Sequence, residues 1–577
     1  MSRTHYGELG VTNMNPVSIL EPQTAPPAPT EPAARAPNAS AGALLGTLVL
    51  KEVHDLVLTL RFTVGTVLVL VLAVMAAYIG SLDYNARLDS YQTKQKLNRE
   101  NLSRAKVYSF LRPTLVRPPE PLSILHHGLE GRLGTDFRIS VEQESTEAEG
   151  LNRGNEYLSI FSEVDLTVIV AVILGLLALL FTFDMVCGER EAGMLKLMMS
   201  YPLSRSRLLL GKYLGAWVTL MLPTAMACLL SLLVVGVAAQ VHFGAQEIVR
   251  IGLIFLLYAL YLSLTLLAGL VISSFVQRSS LALVFATFFW FLLVAIVPNL
   301  ATMAPDFVGT REEIYQETME NLAQLDKEQD VAFRAQKNPF DNFTFHYAIN
   351  QNGGDGMSLE CHFGDAKFYD QLRDAFGQFI PLAMKFAGRR AEIWRRYLRY
   401  RDHQAALARG LSFLSPTAVF QNTLGFVSGT SEADYKHYIS LASRYRNTFF
   451  DYLTRKNAFN SWRWFTSDPD DGDIPWPIMA VGKTPDEMEA SGKKPGEVME
   501  QWMHDQTAWR KFLQYERDRD NSRRAVLLLG DLPAFTHQRL GTGAILVQAG
   551  PEIGYLLVLN IILFLVAFVR FVHYDVR

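Results

Sequence analysis

The chain has 577 residues, 49% of them hydrophobic and 19% charged, with a mean hydropathy of +0.12, so it is too long for one soluble domain and too apolar to face water throughout. Its 54 basic and 57 acidic residues net to −3, which excludes the basic excess of a nucleic-acid binder. Cys187, Cys228 and Cys361 are scattered without metal-like spacing, which argues against a disulfide framework or a zinc site.

Residues 1–40 are rich in Pro and Ala and cannot bury enough apolar surface to offset their ordering entropy, so they read as a disordered tail. They lack the basic-then-apolar order of a signal peptide, and targeting is expected to rest on the first membrane helix. Residues 41–61 set Leu45, Leu48 and Val49 on one helical face and Glu52 and Asp55 on another, the pattern of an amphipathic helix in the membrane interface. The alternative is a plain extension of the first span.

Uncharged apolar runs near the roughly 20 residues needed to cross a bilayer predict six spans. They are 62–79, 166–183, 213–239, 251–276, 281–297 and 553–569. Pro223 is expected to kink the third. Arg190, Lys196, Arg205, Arg207 and Lys212 after span two, Arg278 after span four, and Arg570 and Arg577 after span six all fall on one side. By the positive-inside rule that side is cytoplasmic. Both termini, including the tail 570–577, are then expected inside, and segments 80–165 and 298–551 outside.

The first outer segment begins with a polar helical pattern and turns into strand-like pieces such as FRISVEQES, which predicts a small mixed α/β unit. The second is mostly helical in pattern, with Tyr435, Tyr438 and Tyr445 at helical spacing as a packed core. The expected fold class is therefore an all-α polytopic membrane protein with six transmembrane helices, a small mixed α/β external segment and a large, mainly helical external domain. The spans hold few polar residues, among them Thr224, Ser231, Ser263, Thr265, Ser273, Thr287 and Asn560, which can hydrogen-bond between helices or line a path for an apolar cargo. No charge falls inside the runs, which argues against an acidic proton relay.

The most informative stretch is FTFDMVCGEREAGMLKLMMSYPLSRSRLLLGKYLG, residues 181–215, which leaves span two as a charged, Gly-punctuated helix and returns through a basic amphipathic run. It resembles the signature loop of ABC-2-type permeases in Gly188, Glu189, Arg190, Glu191, Gly193, Leu195, Pro202, Ser204, Arg205, Gly211 and Lys212. FSEVDLTVIV, LSPTAVFQNTLGFVSGT, the LPAF near Leu532 and the terminal HYDVR are similar to the multi-copper-enzyme-maturation (NosY-like) subgroup. The resemblance implies a permease subunit in the bacterial inner membrane whose loop 184–212 couples to a separate ATPase. It also implies a second permease, identical or paralogous, with ATP and Mg in the ATPase and no cofactor in this chain.

The expected coupling residues are Gly188, Glu189, Arg190, Glu191 and Gly193, with Met194, Leu195, Leu197 and Met198 as an apolar anchor. Arg205, Arg207 and Lys212 form a cytoplasmic basic turn, which positive-inside charge alone could also explain. No phosphate-binding loop occurs, since Gly211-Lys212 is followed by Tyr213 and preceded by Ser206 where a first Gly is needed. No G-x-S-x-G or H-E-x-x-H motif supports catalysis. His126-His127, Cys361-His362 and the acidic turn at Asp468, Asp470, Asp471 and Asp473 lack convergent metal ligands, and the sequon at Asn342 reads as chance. The size of segment 298–551 leaves open a mechanical role on an external partner.

Overall fold

The computed structural model describes residues 41–150, 164–194, 204–300, 311–336, 366–467 and 526–573, together with 348–349, 360–361 and 510. Six of its helices are long and apolar enough to cross a bilayer, so the chain is a multi-pass, mainly helical membrane protein. Below, the domain side is the face carrying the two long inter-span segments. The loop side is the opposite face.

Helix α1 (Ala41–Val57) ends at a break where Thr59 Oγ1 accepts from Phe62 N and starts α2 (Leu60–Ser103). α2 is one unbroken helix of 44 residues. At ~1.5 Å per residue it is about 66 Å long, twice what a bilayer core needs, so its polar half stands on the domain side. No Gly or Pro interrupts it after Gly80, which is why the span and the following polar helix are one rod. Beyond it β1 (Thr114–Val116) and β2 (Asp136–Arg138) pair antiparallel, with Leu115 opposite Phe137.

Span two is α3 (Leu166–Glu191), started by Asp165 Oδ1 accepting from Val168 N. α4 (Arg205–Ala238), α5 (Ala245–Phe275) and α6 (Ser279–Leu300) follow as spans three to five, and α11 (Thr542–Val572) is the sixth. α3 and α5 form the centre, and the other four turn leucines and valines outward as a lipid-facing surface. Every span outruns its uncharged core. Helices continue past the point where lipid ends, and in doing so α4 carries Lys212, α5 carries Arg250 and α11 carries Glu552, all buried. These three charges lie one residue before the runs 213–239, 251–276 and 553–569, because an apolar run marks only the part of a helix that must be apolar.

Between α6 and α11 lie α7 (Arg311–Ala335), β3 (Ala348–Ile349) paired with β4 (Glu360–Cys361), α8 (Ala366–Ser412), α9 (Pro416–Ser428) and α10 (Glu432–Arg455). α7 packs on α8 through Phe333 stacked on Phe379 and through Arg389–Glu328. Tyr369 and Phe376 of α8 meet Phe465, while Tyr438 of α10 donates to the carbonyls of Leu115 and Thr135, tying the helices to the small sheet. An extended strap, 526–541, closes this core, with Leu527 N bonded to Ala105 O and Tyr445 OH to Pro533 O.

Not all of segment 298–551 stays outside the bundle. α9 is lodged among the spans: Phe420 stacks on Tyr261 at 4.3 Å near the middle of α5, and Phe413 just before α9 meets Tyr555 of α11 edge-on. Two π-turns mark where it fits, Val170–Leu174 in α3 and Leu292–Ile296 in α6. A π-turn leaves a carbonyl without its usual donor, which in lipid must be supplied by a side chain. Tyr261 OH donates to Ala171 O and shares a bond with Thr417, and Ser415 Oγ donates to Leu293 O. At 13 residues and with Gln421 and Asn422 in it, α9 is too short and too polar to register as a span. Its far end stops at Gly429, held at φ +79°, and Gly128 at φ +53° packs so closely beneath that a Cβ would meet Thr430 Oγ1 at 2.3 Å.

Candidate functional site

Two polar clusters bind the spans together, one on each face. The loop-side cluster surrounds the end of α3. After Thr182 the helix loosens into a turn, and Ser273 Oγ of α5 accepts from both Val186 N and Cys187 N, satisfying donors that a new helix start would leave orphaned. The chain then makes the short helix Cys187–Glu191 and stops at Gly193, φ +70°.

Each neighbouring element grips this short stretch. Arg61 of α2 donates to Asp184 Oδ2 and to Leu180 O, both at 3.1 Å, with its guanidinium 5.0 Å from the Phe183 ring centre. Lys212 Nζ of α4 lies 3.0 Å from Glu52 of α1 and also bonds Glu189. Ser279, at the start of α6, donates to Glu191. Arg205 ties α11 to the same face by donating to Val572 O. The lysine can be buried here because α1 crosses α4 over Gly211 and Gly215: a Cβ on Gly215 would stand 2.5 Å from Glu52 Cβ. This is the small-x-x-x-small spacing that lets backbones approach closely.

The motif residues thus divide. Arg190, Glu191, Gly193 and Met194 form an exposed tip, and Gly188 and Glu189 are half-buried behind it. Leu195, Leu197 and Met198 lie outside the described residues, as do Asn342, His362 and the four aspartates at 468–473. Arg205 and Arg207 are exposed as a basic turn should be. Lys212 is not: at 2% exposure it is the centre of an ion triad rather than a solvent-facing charge. Glu189 likewise turns inward to it, instead of serving as a rim contact. Sequence reading missed Glu52, Arg61, Asp184, Ser273 and Ser279 as members. Glu52 carried a signal as an acid opposite the apolar face of α1, and Ser273 as a polar residue of a span.

The domain-side cluster joins α2 to the segment that follows it. Arg87, 2% exposed, donates to Asp83 at 2.8 Å and Ser123 at 3.0 Å, and lies 3.4 Å from Glu130. Arg117 adds a 3.0 Å pair to Glu130. Next to it Arg539 of the strap bridges Glu120 and Glu247 of α5, and Arg250 donates to Leu540 O. Among the described residues no group of three His, Cys, Asp or Glu side chains gathers as a metal site.

Burial pushes the Glu120 carboxyl up from 4.5 to about 7, against the pull of Arg539, and burial with the nearby arginines takes His537 down from 6.5 to about 4. These shifts act on stability in opposite senses. Glu120, raised in the folded state, contributes stability that is full below its unfolded value and lost as pH rises through about 7. His537, lowered, contributes stability that is full above 6.5 and lost as pH falls through about 4. The two slopes oppose each other over the interval they share. Removing either group should therefore expose the other: thermal unfolding midpoints in detergent should fall toward acid in Glu120→Gln and toward alkali in His537→Gln. Parallel profiles for both variants would contradict this.

Residues 47–576 match the family model described as ABC-2 family transporter protein. Over 131 residues the chain is 33% identical to "Probable ABC transporter permease protein NosY" of Stutzerimonas stutzeri, covering 22% of this chain and 45% of that protein. Over 59 residues it is 46% identical to the protein of the same description from Pseudomonas aeruginosa, covering 10% and 22%. The matched stretches thus span less than half the length of these curated relatives.

Proposed function

The chain belongs to the ABC-2 family of transporter proteins, and from that premise we propose that it is the non-catalytic permease subunit of an ATP-driven exporter. ATP and Mg are held by a separate nucleotide-binding subunit, and a second permease, identical or paralogous, completes the pathway. On this reading the loop side, which carries the basic residues, faces the cytoplasm of a bacterial inner membrane, with both termini inside and the helical domain outside.

The observation that carries this reading is the grip on residues 184–191. Arg61, Lys212, Ser273 and Ser279 connect that short stretch to four other spans, so a displacement of the exposed tip Arg190–Met194 reaches all of them at once. An ATPase docked on the tip would find an apolar anchor in Met194, which is 50% exposed, and charged contacts beside it. Met194→Asp and Arg190→Ala should each weaken co-purification of the nucleotide-binding subunit. Recovery of no such subunit with the parent chain, or unchanged recovery with both variants, would remove the coupling claim.

A second reading has its own support in α2. Because one helix runs from the loop side to the domain side, and Arg87 ties it to the segment that follows through a buried pair to Glu130 and a bond to Ser123, motion of the spans would be delivered to the domain side without slack. The complex would then act mechanically on an external partner. ATP-dependent movement of cargo into inverted vesicles favours export; ATP hydrolysis accompanied only by domain motion favours the mechanical role.

A further inference from the structure

The small sheet on the domain side leaves one edge open. Ile139 N donates to Pro113 O, and Arg117 N to Thr135 O. Bonded positions alternate along an antiparallel pair, so Leu115 bonds Phe137 between them, while Thr114 and Val116 turn their N–H and C=O groups away from β2. The far edge of β2 is taken, since Asp136 N donates to Glu149 O and Glu149 N to Asp136 O. On the open edge of β1, Asn98 Oδ1 of α2 accepts from Thr114 N at 3.0 Å. Among the described residues, Thr114 O and both backbone groups of Val116 have no partner.

That edge lines an open groove of about 540 Å³ between α2, β1 and the strap. We propose that the groove binds an extended peptide segment of an external partner protein, added to β1 as a further strand, with apolar side chains at alternate positions and a carboxylate beside Arg99.

Three observations carry the proposal. The first is the backbone: Val116 offers an N–H and a C=O on the same side, the arrangement with which one residue of an added strand exchanges both bonds. Val116 is only 6% exposed, and an unpaired backbone group so placed is costly until a partner fills it. The second is the walls, where Leu102 of α2 and Leu527, Leu532 and Phe535 of the strap stand beside the polar edge. A strand turns successive side chains to opposite faces, so every second one would meet these walls. The third is charge. Arg99 is exposed, is the charged residue of the lining, and has no acidic partner among the described residues. Lipid does not reach this height. Tyr91, the groove residue of α2 nearest the membrane, stands about 18 Å of helix beyond the predicted end of span one at residue 79.

The site needs only the fold of the domain side and is measured without ATP or an ATPase, so it stands apart from both readings above. The test uses the full chain in nanodiscs, panned with a phage-displayed library of random octapeptides. Enriched peptides should carry apolar residues at every second position and an aspartate or glutamate. A labelled synthetic copy then reports affinity by fluorescence anisotropy. Methylating every second backbone nitrogen of that peptide should abolish binding in one register. Arg99→Gln should weaken it by about tenfold, the worth of one charge-assisted contact. Arg104→Gln, on the same helix but outside the groove, should change nothing. Ala534→Trp, which fills the groove, should abolish binding.

Val116→Pro removes the free N–H and spares the bonds to β2, a position where an edge strand tolerates proline, and should also weaken binding about tenfold. If that variant unfolds, hydrogen exchange on the parent tests the same contact, because bound peptide should slow the Val116 amide. Failure to enrich any peptide would overturn the proposal, as would binding indifferent to backbone methylation or to Ala534→Trp. Dissociation of the parent from dimer to monomer by Ala534→Trp would assign the groove to a second copy of the chain and overturn it likewise.

Discussion

Lys212→Met is expected to cost about 3–5 kcal/mol of stability, because it leaves Glu52 and Glu189 facing each other in a site built around a cation. Removing one member of a buried ion group is far more damaging than replacing the whole group. The triple variant Glu52→Gln, Lys212→Met, Glu189→Gln should therefore recover most of the lost stability. It should not recover function. The triad ties the segment after span two to both α1 and α4, so the triple variant, though folded, should lose most of the dependence of ATP hydrolysis on the permease. Thermal unfolding and ATPase assays on the reconstituted complex separate the two effects. A stable triple variant with parental coupling would show the triad to be structural only.

The second large effect is expected at Arg87. Its guanidinium serves Asp83, Glu130 and Ser123 at once, and Arg87→Met would strand the Asp83 carboxylate and leave Glu130 to Arg117 alone, in a site where Arg87 and both acids are all buried. A loss of about 3–5 kcal/mol follows. Asp83→Asn together with Arg87→Met should return part of it, and the remainder reports Glu130, which keeps Arg117 as a partner. The location matters as much as the size. Arg87 sits where α2 leaves the bundle, so limited proteolysis of the variant should release the helical domain while the spans remain protected. Uniform digestion of both parts would mean that the domain is held mainly by α9 and the strap instead.

Much of this architecture was legible from residue type and order. The six spans follow from apolar runs, since a segment that must avoid water cannot disguise its composition. The signature stretch was legible as a motif; that Arg190, Glu191, Gly193 and Met194 stand exposed came from the structure. Lys212 and Glu189 were identified as members of that stretch but misplaced in it. A basic residue beside a span obeys the positive-inside rule whether it faces water or a buried acid, and sequence cannot tell the two apart. Glu52, 160 residues away from Lys212, showed only as an acid opposite an apolar face, with nothing to name its partner.

By itself, then, the sequence determined what each segment can tolerate: lipid around the apolar runs, water around the polar rod of α2, and a short punctuated helix after span two. Only the tertiary structure decided which charges meet and where α9 goes. The reason is the same for both. Burial of Lys212 and insertion of α9 depend on partners brought together from distant parts of the chain, Gly215 beneath Glu52 in one case and the freed carbonyls of Ala171 and Leu293 in the other. Neither residue in such a pair carries the other's position in its own neighbourhood.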